Sequence, residues 1–169
     1  MGGRLYKKTV KRGDKEYDFD YYIYIDYSEN LVGYTIIHKD KIKEILPKIS
    51  RFRHYRESKK RKVYLKHIYD AIKKENIFSY FLKYKLKRIH ESIEVYSDVL
   101  DFIKTHHYCI IFISVDDKQY IKFKKLVNII DDKKTRVVKE SELKRGTTEY
   151  QLSLVIDNFL NIKRRQLKK

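Results

Sequence analysis

The run Tyr108-Cys109-Ile110-Ile111-Phe112-Ile113-Ser114-Val115 limits what this chain can fold into more than any other segment. It is far too short to span a bilayer, which takes about 20 apolar residues as a helix. Both alternating positions are apolar, the pattern of a strand covered on its two faces. Such a strand belongs to a sheet with helices packed on either side, and the remainder of the chain supplies the other layers.

Tyr21 to Asp26 is dense in β-formers, Ser28-Glu29-Asn30 makes a turn, and Leu31 to Ile37 returns as a second strand, so the sheet opens with a hairpin. Asp40 to Ile49 is predicted as a short helix capped by Asp40 and limited by Pro47. The segment after it begins as an edge strand near Arg51 and becomes a helix from Lys59, with Val63, Ile68 and Ile72 as its apolar stripe. Ile77 to Leu86 is predicted as a strand and Tyr96 to Thr105 as a helix. A helix over Tyr120 to Ile130 rests on Ile121, Phe123, Leu126, Val127 and Ile130, and Arg136 to Val138 is a short strand. Thr148 and Gln151 match a capping box that opens a long helix through Leu160. The expectation is an α/β fold with a mixed sheet led by an N-terminal hairpin and flanked by helices. Residues 1–20 form a basic arm or weak hairpin around Gly13-Asp14, residues 21–162 a single domain, and residues 163–169 a basic tail.

Charge narrows the function. Against 23 Asp and Glu stand 40 Lys and Arg, a net charge of +17, which strains a compact monomer and points to a polyanionic partner, nucleic acid first. The single cysteine, Cys109, excludes a disulfide framework and a zinc ribbon. No apolar leader follows Met1, no membrane span is present, and the expected location is the cytoplasm. High Lys, Ile and Tyr with one Pro also suit a thermophile or an AT-rich genome. No Gly-rich phosphate loop and no G-x-S-x-G elbow occurs, and the adjacent His106 and His107 point to opposite faces of an extended segment, a poor arrangement for one metal.

The carboxylates stand out by position. Asp26 ends the first strand and Asp116 the apolar one. If these strands run parallel, their C-terminal ends share one edge of the sheet. Asp157 lies on the last helix in a polar strip with Ser153 and Asn161, and packed across the sheet it reaches the same place. Three converging carboxylates call for a divalent cation, and hard oxygen donors suit Mg²⁺ or Mn²⁺. Each acid also has a plainer role, and Asp116 and Asp117 before a helix are good capping residues. The densest cations, Arg51, Arg53, Arg56, Lys59, Lys60, Arg61 and Lys62, with Lys163, Arg164 and Arg165 near the end, are the expected phosphate contacts.

The opening Tyr24-Ile25-Asp26-Tyr27-Ser28 followed by a hairpin resembles the start of ribonuclease-H-like domains. Its nearest likeness is to small prokaryotic ones that begin Asp-Glu-Ser-Gly and end with a strand, a Ser-containing loop and a helix opening Leu-Gln-Leu-Ala-Asp. Val137-Val138-Lys139-Glu140-Ser141 and Tyr150-Gln151-Leu152-Ser153 are similar to that ending. Tyr27 stands where the group has Glu and Glu29 where it has Gly. Matching Gln151-Leu152 puts the group's final Asp on Leu154, with Asp157 one turn later. The resemblance implies Asp26, Asp116 and Asp157 as metal ligands. It also implies Glu57 as the central acid, with Glu75 second in line, assisting as ligand or water-orienting base. The leading expectation is a metal-dependent nuclease acting on DNA or RNA. A binding protein without catalysis on the same fold and a partner-binding or toxin–antitoxin type protein are its rivals.

Overall fold

The structure, a computed structural model, describes residues 10–12, 15–17, 19–131 and 134–168, with side chains from Phe19 onward. The first described elements, β1 (Val10–Arg12) and β2 (Lys15–Tyr17), pair antiparallel as a small separate hairpin. Its Gly13-Asp14 turn, predicted from the sequence, lies outside the described residues. The main sheet follows with β3 (Tyr21–Ser28) and β4 (Leu31–His38), then β5 (Lys83–Arg88), β6 (Cys109–Ile113) and β7 (Arg136–Lys139), in the spatial order β5-β4-β3-β6-β7. Neighbours β3 and β4 are antiparallel, as are β4 and β5, whereas β6 runs parallel to β3 and β7 parallel to β6. This is the mixed sheet led by a hairpin that the sequence predicts.

Helices cover both faces. On one lie α1 (Lys39–Ile45), α2 (Arg61–Lys74) and α5 (Thr148–Leu167), which meet Tyr22, Tyr24, Ile110, Phe112 and Val138 of the sheet. On the other, α3 (Ser92–Thr105) and α4 (Asp117–Asp131) cover Ile23, Ile25, Tyr34, Ile111 and Ile113. The central strands are therefore apolar on both faces through their middles, and β6 is fully buried. At the edge, β5 alternates Lys83, Lys85 and Lys87, charges that discourage pairing with another chain. Lys85 is held by Glu94 and Asp98 of α3.

Several local expectations change. Residues from Ser50 to Ser58 form no strand; they run irregularly with one 3-10 turn at Tyr55–Glu57, because side chains of α5 take up their backbone groups. Gln151 Nε2 donates to the carbonyls of Ile49 and Phe52, and Asn158 Nδ2 to that of Arg53. Gln151 is thus a tether rather than half of a capping box. The N-cap of α5 is Thr147, whose hydroxyl accepts from Tyr150 N–H. His38, not Asp40, caps α1. Ile77–Tyr80 is a 3-10 turn, so β5 starts only at Lys83. Val63, Ile121 and Leu126 are exposed, leaving Phe123 and Val127 as the buried residues of α4. The basic residues Lys163, Arg164 and Arg165 lie within α5, which runs to Leu167. No described helix is long and apolar enough to cross a membrane.

Candidate active site

Strand register builds the site. Ile25 of β3 is level with Ile113 of β6, and Ile113 with Lys139 of β7. The next residues, Asp26, Ser114 and Glu140, therefore stand side by side at the C-terminal edge of three parallel strands. By alternation they continue the row of Tyr24, Phe112 and Val138, the face that α5 covers. Asp157, one position after the buried Ile156 of α5, reaches the same end. Gly33, the antiparallel partner of Asp26, lets α5 come this close, since a Cβ there would lie 3.1 Å from Ile156 Cδ1 and 2.9 Å from the Lys85 carbonyl oxygen.

Together these residues line a cavity of about 690 Å³ whose wall also carries His54, Arg56, Arg61, Asn161 and Arg164. Asp26 and Asp157 are each only 6% exposed. Burial raises the Asp26 carboxyl well above its ordinary value, and the charges of Glu140 and Asp157 add to the rise. The Tyr27 N–H at 2.8 Å and the Ser114 hydroxyl oppose it. Burial likewise pushes Glu140 up to about 7, against the Ser114 hydroxyl and with the charge of Asp157. Asp157 is raised by burial but better compensated, by His54, by the Tyr55 N–H that donates to its Oδ2 at 3.0 Å, and by Arg56. His54 accepts the Arg56 N–H on Nδ1 and turns Nε2 to Asp157 Oδ1 at 3.5 Å. Asn161 anchors the helix side, donating to the Asp157 carbonyl while its Oδ1 accepts from Ser28 Oγ and from Arg164.

Cations gather on one ring beside these acids. The guanidinium carbons of Arg61, Arg164 and Arg165 lie 5.3, 5.5 and 5.7 Å from the centroid of Tyr55. Arg165 Nη2 also donates to the Tyr55 hydroxyl at 2.8 Å. Burial would push this phenol up, yet Arg165 and Arg164 outweigh it and hold the phenol below its ordinary value. Arg164 reaches one acid, Glu29, at 3.4 Å.

Of the acids expected at the site, the structure brings Asp26 and Asp157 together and leaves Asp116 out. The strand stops at Ile113, and Asp116, exposed, accepts the Gln119 N–H at 2.8 Å as the cap of α4. Ser114 and Glu140 occupy the edge positions instead. Glu57 stands at the rim, tied to Arg145 and accepting from the Tyr150 hydroxyl at 3.3 Å, and its charge is felt at Asp157. Glu75 is remote and paired with Lys48. Among the expected cations, Arg56, Arg61 and Arg164 line the cavity, and Arg165 backs it through Tyr55. Arg51, Arg53, Lys59 and Lys60 line a neighbouring groove. Lys62 and Lys163 are exposed. Sequence reasoning missed Glu140, Ser114 and His54 as site residues. For Glu140 the only sequence signal was an acid directly after a short predicted strand; the β6–β7 register is what places it. For His54 there was none beyond its place in the basic block. Among the described residues no three His, Cys, Asp or Glu side chains stand at the spacing of one metal ion's ligands.

No protein-family model matches the chain, and no curated protein matches it closely. Among solved structures, it is similar to a chain in the complex of PCNA and RNase HII from Archaeoglobus fulgidus, at 10% identity and a TM-score of 0.45, over 88% of this chain and 73% of that one.

Proposed function

We propose that this protein is a divalent-metal-dependent nuclease of the ribonuclease-H-like type, with its acids at Asp26, Glu140 and Asp157. One observation carries the reading. Three carboxylates from distant parts of the chain, Asp26 and Asp157 buried and Glu140 half-buried, share a cavity walled by Arg56, Arg61 and Arg164. Buried acids that repel one another cost stability, and that cost is accepted where charge is needed. The motif resemblance, with Asp26 at the end of the first strand and a final acid on the last helix, supports the same reading.

The donor set fits Mg²⁺ or Mn²⁺ in kind, since Asp26, Glu140 and Asp157 offer hard carboxylate oxygens. A divalent ion bound there supplies the positive charge that stabilises the attacking and leaving oxygens of a phosphodiester. The chain's own residues do the rest. Arg56, Arg61 and Arg164 hold the phosphate backbone, with Tyr55 fixing two of these guanidinium groups against its ring. The Ser114 hydroxyl stands between Asp26 and Glu140 and favours the ionised form of each carboxyl. His54 and the Tyr55 N–H hold Asp157. Glu57, engaged by Arg145, lines the neighbouring groove and reaches Asp157 through its charge.

Incubation with single-stranded, double-stranded, hybrid and branched substrates in Mg²⁺ or Mn²⁺ tests the proposal. Cleavage should disappear in EDTA and in both Asp26→Asn and Glu140→Gln. The ligand spacing that the acids lack favours a second reading, a nucleic-acid-binding protein without catalysis. Tight binding with no cleavage of any substrate would establish that alternative.

A further inference from the structure

A second hollow, of about 970 Å³, lies between the segment Pro47 to Lys60 and α2. Its floor is apolar: Phe52 and Ile68 belong to the core, Ala71 is half-buried, and Val63 is 53% exposed to solvent. Its rim is cationic. Arg51, Arg53, Lys59, Lys60 and Lys74 have no acidic partner among the described residues, and the two acids present are engaged elsewhere, Glu75 by Lys48 at 2.9 Å and Glu57 by Arg145. Helix α2 starts here without a side-chain cap and without an acid in its first turn, so its positive end adds to the rim. Ser58, 8% exposed, also lines the groove, and its hydroxyl has no partner among the described residues.

An inorganic phosphate would satisfy the cations and leave the floor wet; an uncharged apolar ligand would do the reverse. The groove suits a ligand with a flat apolar body and anionic groups beside it. Position decides which. One short segment separates the two hollows: His54, Tyr55 and Arg56 face the carboxylate cavity, whereas Arg53, Glu57 and Ser58 face the groove. A strand crossing the carboxylates runs directly over this segment.

We propose that the groove takes an unpaired nucleotide of the nucleic acid held at the carboxylate cavity, its base against Val63 and Ala71 and its phosphates on Arg51, Arg53, Lys59 and Lys60. A base seated there has left its stack, so the substrate is single-stranded or carries an unpaired flap. This rests on reading the protein as nucleic-acid-binding, and it holds whether or not the carboxylates cleave.

Binding is measured in EDTA, without turnover, by fluorescence anisotropy of a labelled deoxythymidine dodecamer and of a blunt duplex of equal length. The single strand should bind more tightly. Val63→Glu, at an exposed position, should weaken the single strand roughly tenfold and the duplex hardly at all. Should that variant fail to melt cooperatively, the triple variant Arg51→Ala, Lys59→Ala, Lys60→Ala serves, with a salt slope flatter by about 2 for the single strand. Equal effects on strand and duplex, or none, would overturn the proposal. So would displacement of the strand by micromolar thymidine monophosphate, which would assign the groove to a free nucleotide, or by an acidic peptide. Failure of the nuclease reading looks different: no cleavage under any condition, with the Val63-dependent preference for single strands intact.

Discussion

Replacing Glu149 by Gln is expected to stabilise the protein at pH 8 and to leave its stability unchanged at pH 4. Glu149 lies in the first turn of α5, is 1% exposed, and has no hydrogen-bond partner for either carboxylate oxygen among the described residues. Burial pushes its carboxyl from the ordinary 4.5 up to about 7, against the pull of its own backbone N–H. The folded chain therefore binds this proton more tightly than the unfolded chain. Below pH 4.5 both states are protonated and the carboxyl costs nothing; between 4.5 and 7 the unfolded chain ionises first and stability falls; above 7 the whole cost is in place. At 1.36 kcal/mol per pH unit the gap is worth about 3 kcal/mol. Screening by water near the helix end and the favourable end of the α5 dipole reduce this to about 2 kcal/mol. Gln keeps the shape without the charge. Asp26, Glu140 and Asp157, all raised, give both proteins the same downward trend with pH, and the difference between the two removes it. Urea unfolding of both proteins at pH 4, 6 and 8 measures that difference. Equal stabilities at pH 8, or a less stable Gln variant, would refute the reasoning by showing that the ionised carboxylate is well accommodated.

Gly33→Ala should cost about 1–3 kcal/mol by overpacking, because the new methyl meets the Lys85 carbonyl oxygen at 2.9 Å and Ile156 at 3.1 Å. It should also impair cleavage through displacement of the neighbouring Asp157; a thermal melt and an activity assay read the two effects separately. Asp116→Ala should lower stability by about 1 kcal/mol through loss of the α4 cap while cleavage stays at the wild-type level. A loss of cleavage equal to that of Asp26→Asn would put Asp116 back in the site.

The central strands were legible because period and length leave little choice. Tyr21 to Ile25 and Cys109 to Ile113 are apolar or aromatic at every position, and a doubly covered sheet accommodates that. Asp26 and Asp157 were legible from the same patterns, one late in a strand that in fact runs on to Ser28 and the other beside an apolar helical stripe. Asp116 misled because strand length was read from apolar composition. Val115 extends that composition, but the paired register of β6 ends at Ile113, with a last bond from the Ser114 N–H to the Ile25 carbonyl. Glu140 could be placed only once the β6–β7 register was known. The Ser50 to Ser58 segment was illegible in principle, since its conformation is set by Gln151 and Asn158, about a hundred residues away, and no local propensity encodes such a tether. Val63 fell on the apolar stripe by counting, yet the groove beside α2 leaves it in water.

Helix α5 is the last of the described elements to leave the ribosome, and it brings Asp157, Asn161 and the two arginines that flank Tyr55. Until it docks, the sheet face bearing Tyr24 and Phe112 is bare, the Ser50 to Ser58 segment has no anchors, and Asp26 and Glu140 face solvent without their third member. A nascent chain is therefore sticky and lacks its assembled cavity. It needs shielding during synthesis, and its carboxylate cavity stays unwalled on one side until this last described helix has docked.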